Sequence, residues 1–299
     1  SIAIIFFAIF TFYGNNASRI SEISKTPSIE NEKIIPLDKL DNKEKSIYMK
    51  YSNKNYHIKK IDDKYKVLDE NNQSISPEKL DMKLVSLKIP KNNKKYSGLN
   101  IIMKDKVSWI FAKTDEGYKY LNRKGKFVNI DNPEHINVSG YESMGSGRIY
   151  IWSRAIPLIK KNLLIGSGAD NFPVIFPQRD YIGKFKGFGD SIKPKETIVD
   201  KPHNTYIQYA TQYGLLSMII YILINLFISF GLIKVIMNDD SKIKDYAIIF
   251  LSIIVGYMLT SLFNDSSVVV SSIYWVIIGF SLALLKIAKV KVLNINFEV

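Results

Sequence analysis

Cysteine is absent from the 299 residues, and histidine occurs three times. Without thiols there is no disulfide framework and no cysteine-based metal knuckle or redox pair. The absence suits a segment outside the cell that needs no disulfides, but it does not assign a compartment. No His-Glu-x-x-His pattern and no close histidine pair occurs, so no metal site is expected. P-loop glycines are missing, and so is a nucleophile-elbow serine motif; only a dispersed Ser-His-Asp triad stays open.

Charge is missing from three long stretches, Gly214–Ile233, Tyr246–Phe263 and Ser266–Leu285. Each approaches the roughly 20 apolar residues that cross about 30 Å of hydrocarbon as a helix. None shows the polar face of a buried core helix, so they read as membrane spans over about 214–236, 246–263 and 266–285. Ser1–Gly14 is apolar too, with no charge before Arg19. It has no basic n-region, so it reads as the end of a truncated span rather than a signal peptide, and the chain as the C-terminal part of a longer protein.

Charge sits elsewhere. Residues 14–213 hold 35 of the 41 Lys and Arg and 23 of the 28 Asp and Glu, a net charge of +12. Orientation is read from short loops, because long domains cross a membrane regardless of charge. Lys234, Lys242 and Lys244 flank the 237–245 connection, and Lys286, Lys289 and Lys291 follow the last span, whereas Asn264–Ser267 carries one acid and no base. This places the 237–245 loop and the tail 286–299 in the cytoplasm and residues 14–213 outside; Asp239 and Asp240 weigh slightly against it.

Within the outer segment, 15–139 is polar and lysine-rich. Its short runs, Ser46–Tyr51, Tyr56–Ile61, Tyr65–Leu68, Met82–Ile89, Val107–Lys113, Tyr118–Leu121 and Phe127–Ile130, are punctuated by turns such as Asp62-Asp63 and predict antiparallel strands. Gly117 to Val128 reads as one hairpin. Lysines interleaved with Tyr and Trp109 resemble a nucleic-acid surface, but an external location favours a solvated strand face, and no nucleic-acid partner is expected. An anionic cell-surface polymer is compatible with it. His57 and His135 are read as surface residues.

Residues 140–213 differ. Gly145-Ser146-Gly147 precedes a helical pattern from Arg148 to Lys161, with Ile149, Trp152, Ile156 and Ile159 on one stripe and Pro157 expected to kink or end it. Gly166-Ser167-Gly168 marks a turn. An arginine in a helix's first turn opposes the macrodipole, yet that arrangement traps phosphate well, through free N–H groups and a bidentate fork. By itself Arg148 reads rather as an ordinary solvated arginine. His203, beside Asn204 and after Pro202, sits where a helix leads into the first span. Histidine ordinarily titrates near neutrality and can act as a base there, although a lone histidine is more often structural.

The order Gly147-Arg148-x-x-x-Trp152, Leu164-Ile-Gly166-Ser-Gly168-Ala-Asp-Asn-Phe172, His203-Asn-Thr-Tyr-Ile-Gln208 and Tyr213-Gly214-Leu-Leu resembles the O-antigen ligase and polymerase family, over roughly 140–285. Three terminal spans after a large outer loop fit that layout. The resemblance implies the C-terminal part of a polytopic all-α membrane bundle with a β-rich extracytoplasmic insert, in the bacterial plasma membrane. It implies transfer of a glycan from a polyprenyl diphosphate donor to the hydroxyl of a glycan, lipid or protein acceptor, without metal, nucleotide or other cofactor. His203 would be the general base and Arg148 the cation on the diphosphate. Arg179 would add a phosphate contact, with Asn204, Tyr206 and Gln208 completing the substrate-binding set from the helix start. Trp152, Gly166, Gly168 and Gly214 would shape the loop. Abundant Lys, Ile and Asn point to an AT-rich bacterial genome, which favours a polymerase over a lipopolysaccharide ligase. The family's N-terminal spans are not in this sequence, so the chain alone is expected to be inactive. The β-rich insert matches nothing in the family, and a membrane-anchored sensor with that insert as receptor is the competing reading.

Overall fold

The structure, a computed structural model, describes residues 37–42, 46–104, 107–188, 197–238 and 242–289. The span end expected over Ser1–Gly14, the acids Asp239 and Asp240, and the end of the 286–299 tail lie outside the described residues. The chain divides into a β-rich unit within Pro27–Tyr150 and Pro177–Ile198 and a helical unit within Ile151–Phe176 and Val199–Val299.

In the β-rich unit, β1 (Leu37–Asp41), β2 (Ile47–Tyr51), β3 (Lys54–Ile61), β4 (Lys64–Leu68) and β5 (Ser74–Ile75) form one sheet in chain order. A second sheet follows, again in chain order: β6 (Met82–Lys91), β7 (Lys94–Met103), β8 (Ser108–Thr114), β9 (Gly117–Leu121) and β10 (Phe127–Val128). All neighbours are antiparallel. Ser52-Asn53, Asp62-Asp63 and Asn92-Asn93 each have two consecutive positive φ angles, the backbone that two-residue hairpins need to match strand twist. Each run expected as a strand overlaps an observed one, and Gly117–Val128 forms the expected hairpin; β1, β5 and β7 are additions.

Alternation puts Ile47 and Met49 of β2, Ile58 of β3, Leu99 and Ile101 of β7, and Trp109 and Phe111 of β8 into one core shared by both sheets. Full burial of side chains this size stabilises by about 1.5–3 kcal/mol each. Helices join this unit as well: α1 (Met144–Lys161), which begins in it and continues past Tyr150, and α3 (Tyr181–Phe188), whose Tyr181, Ile182 and Phe185 enter the core. Asn42 is fully buried after β1. Its amide donates to the carbonyls of Tyr118 (3.1 Å) and Val128 (3.2 Å) and accepts from Ile130 N–H (2.9 Å), clasping the first sheet's opening strand to the second sheet.

The helical unit contains the rest of α1, the single turn α2 (Phe172–Ile175), α4 (Thr205–Gln212), and three long helices: α5 (Leu215–Asn238), α6 (Lys242–Thr260) and α7 (Val268–Ile287). These three are long and apolar enough to cross a membrane. Tyr221, Asn225, Ile228, Leu232 and Val235 of α5 are buried. Their alternating spacing of four and three is the seam of a packed helix pair, and the remaining faces are exposed aliphatics suited to lipid. Asn225 donates to Tyr221 O (2.7 Å) and accepts from the Tyr274 hydroxyl of α7, an interhelical bond of the kind that binds membrane helices together.

Two features of α1 go beyond the sequence reading. Pro157 does not end the helix, which runs to Lys161; the non-helical residues are Gly145, Ser146 and Gly147, all left-handed. The apolar stripe is also not the buried side. Ile151, Ser153, Arg154, Ala155 and Pro157 are buried, while Trp152 and Ile159 are half-exposed and Ile156 is 38% exposed. Polar Ser153 and Arg154 can occupy the inner face because they are hydrogen-bonded there, Arg154 Nη1 to Ser153 Oγ at 2.8 Å.

Candidate functional site

The segment 202–208 is fixed by hydrogen bonds to the end of α6 and to the α6–α7 connection. Asn204 caps α4, its side chain accepting from Ile207 N–H at 3.0 Å, the usual way an asparagine satisfies a free amide of the first turn. The other end of that amide donates to Leu262 O at 2.9 Å. Thr205 N–H donates to Ser261 O, and its hydroxyl to Asn264 O, both at 2.8 Å. Tyr206 donates to Met258 O at 2.9 Å, and Gln208 accepts from Ser266 N–H at 3.0 Å. Burial, and then the neighbouring Tyr257, hold the Tyr206 phenol above the ordinary tyrosine range, which keeps it a neutral donor. Upstream, Trp152 Nε1 donates to Pro202 O at 2.8 Å.

These contacts hold His203 in a left-handed backbone, φ 52°, a conformation that costs a non-glycine residue of order 1 kcal/mol and persists only where its surroundings impose it. His203 Nδ1 lies 2.7 Å from Asp265 Oδ2; the imidazole side chain is 41% exposed and the carboxylate 12%. A proton on Nδ1 donated to the carboxylate leaves the lone pair on Nε2, the arrangement that fixes a histidine as a base. The other carboxylate oxygen, Oδ1, is buried without a hydrogen-bond partner among the described residues.

Of the residues singled out in the sequence, His203, Asn204, Tyr206 and Gln208 are brought together here. Arg148 and Arg179 belong to the β-rich unit. Arg148 opens the regular part of α1, half-buried, directly after the three left-handed residues. Beside it Tyr150 is buried edge-on to Phe188, with ring centroids 5.6 Å apart. Arg179 Nε meets Asp131 Oδ2 at 3.3 Å, and Asp131 N–H donates to Arg179 O at 2.9 Å. Asp265 was the site residue that the sequence did not disclose. Its one signal was being the sole acid of the short Asn264–Ser267 connection, which was read for charge alone. Among the described residues no three His, Asp or Glu side chains converge as a metal-holding group.

Downstream, the Gly166–Gly168 turn interlocks with the junction between α4 and α5. Ser167 and Gly168 N–H donate to the carbonyls of Thr211 and Gln212, both at 2.9 Å, and Leu215 N–H donates to Leu163 O at 2.7 Å. Gly166 (φ +74°) lies against the backbone of Gln212, and Gly214 (φ +92°) against the carbonyl of Leu164, with no room for a Cβ at either.

Residues 107–222 match the family model described as O-antigen ligase. The matched stretch runs from the strands β8–β10 into α5 and contains Arg148, Arg179, His203, Asn204, Tyr206 and Gln208. No curated protein matches the chain, and no solved structure does. This segment is thus similar to the O-antigen ligase family, and the chain that carries it has three helices long and apolar enough to cross a membrane.

Proposed function

We propose that the protein transfers a glycan from a polyprenyl diphosphate donor to an acceptor hydroxyl at the outer face of the bacterial plasma membrane, with residues 14–213 outside and the C-terminus in the cytoplasm. The observation that carries this reading is the His203–Asp265 pair, at 2.7 Å, whose histidine lies in the segment that matches the O-antigen ligase family model. His203 Nε2 takes the proton of the acceptor hydroxyl. The acceptor oxygen then bonds to the anomeric carbon as the carbon–oxygen bond to the diphosphate breaks, and the bonding pair leaves with the polyprenyl diphosphate. Asp265 orients the ring and stabilises the imidazolium that forms. Arg148 offsets the charge building on the diphosphate, and Arg179 adds a phosphate contact.

With one base in the site among the described residues, and its carboxylate Asp265 engaged on the His203 ring, the step is a single displacement with inversion; a retained anomeric configuration in the product would exclude it. We favour a growing repeat-unit chain as acceptor, hence a polymerase, because the composition points to an AT-rich bacterium. The supporting experiment replaces His203 or Arg148 by alanine in the full-length protein and sizes surface glycan on a gel. Near-complete loss of polymer, with the protein still in the membrane, is expected. Unchanged glycan in both variants would leave a membrane-anchored sensor with the β-rich unit as its receptor.

A further inference from the structure

Outside the long helices, one loop of the helical unit exposes an unbroken aliphatic run. Leu163, Leu164 and Ile165 follow α1 after Asn162, and the last two are 72% and 84% exposed. Surface loops are ordinarily polar at such positions, and consecutive exposed aliphatics mark a contact surface. This loop is also rigidly held. Gly166 N–H closes it onto Asn162 O at 2.9 Å, Leu215 N–H fastens Leu163 O, and the two glycines lock it against the α4–α5 junction. The chain thus projects apolar side chains from a fixed backbone.

What the loop is fastened to identifies the partner. Leu215 is the first residue of α5, a helix able to cross a membrane, so the loop lies at the level where that helix begins. The outward stripe of α1 supplies a second, independent observation. Ile156 and Ile159 are left incompletely buried, and Leu163 continues their helical spacing. Exposed Lys160 and Lys161 stand between stripe and loop, as in segments that lie in a lipid interface with cations at the phosphates.

We propose that Leu163–Ile165 is a membrane-interface wedge. It is inserted among the acyl chains of the leaflet beside the start of α5, roughly 5–10 Å deep as interfacial segments are. Lys160 and Lys161 meet anionic lipid phosphates, and the Ile156–Ile159 face of α1 rests on the same surface. The wedge requires no particular reaction, so it stands or falls apart from the glycosyl-transfer reading.

The absence of cysteine makes the test direct. Ile165→Cys in the full chain, labelled with an environment-sensitive fluorophore, is reconstituted in phosphatidylethanolamine–phosphatidylglycerol vesicles. The label is expected to lose emission to lipids carrying a doxyl group near the headgroup. Aqueous iodide should quench it with a slope several-fold below that of Asp115→Cys, in the β8–β9 turn. Labelled Leu226→Cys, on the exposed side of α5, must be doxyl-quenched in the same preparation and so verifies insertion. Leu164→Cys should repeat the Ile165→Cys result. Iodide access equal to that at Asp115→Cys would overturn the proposal, as would protection from both quenchers, which would mean that protein covers the loop.

Discussion

His203 and Asp265 are separated by 62 residues of chain, yet Nδ1 and Oδ2 are 2.7 Å apart, held by a capped helix start on one side and a helix connection on the other. If Asp265 positions the ring, Asp265→Asn should lower kcat by about a thousandfold, because an amide can stabilise the wrong tautomer of a catalytic histidine. The KM for the lipid-linked donor should stay unchanged. Turnover of a defined donor in proteoliposomes separates the two; a raised KM with normal kcat would assign Asp265 to substrate binding instead.

Gly214→Ala should destabilise the helical unit by about 3 kcal/mol or more, combining left-handed strain of order 1–3 kcal/mol with overlap against a backbone carbonyl that cannot rotate away. Thermal unfolding in detergent reads this. Gly168, also left-handed but with open space around it, serves as control: Gly168→Ala should cost only the strain.

Asn42→Leu removes a buried amide with three partners. It should cost about 2–4 kcal/mol, since each unmet buried backbone group costs roughly 1–3 kcal/mol and the leucine recovers part by packing. Hydrogen exchange should show Ile130 losing protection first, together with the edge strand β10.

Alkali should loosen the β-rich unit. Burial, and then the neighbouring Tyr65, whose ring lies edge-on to it, push the Tyr118 phenol up from its ordinary value. The folded state therefore disfavours the phenolate relative to the unfolded chain. The stabilisation is complete below about pH 10, the unfolded value, and is lost progressively as pH rises above it. Titration by tyrosinate absorbance alongside circular dichroism should show late ionisation coupled to unfolding, and Tyr118→Phe should remove that component.

Alternation and charge-free runs made most strands and the three long helices legible in the sequence. β7 was hidden because Ser97, Gly98 and Asn100 interrupt its alternation. The structure explains the glycine: a Cβ at Gly98 would meet Ile89 Cδ1 at 2.8 Å. The hairpin before it was hidden because Asn92-Asn93 turns without glycine, asparagine tolerating the left-handed region. In the site, His203 stood out by residue type and motif, whereas Asp265 did not, because tertiary packing alone brings the α6–α7 connection to it. The apolar stripe of α1 was legible too, but not that its opposite face, with Ser153 and Arg154, is the more buried one, because periodicity shows where apolar residues align and not what packs against them.

Each sheet joins only strands that are neighbours in the chain, so its pairings close short loops and carry little entropic cost. Such topology has low contact order for a β structure, which favours fast folding. The two sheets can assemble hairpin by hairpin in the order their strands emerge during synthesis, without waiting for the three long helices. The clasp of Asn42 on Ile130, reaching across 88 residues, then joins the sheets before Tyr181, Ile182 and Phe185 of α3 complete the core.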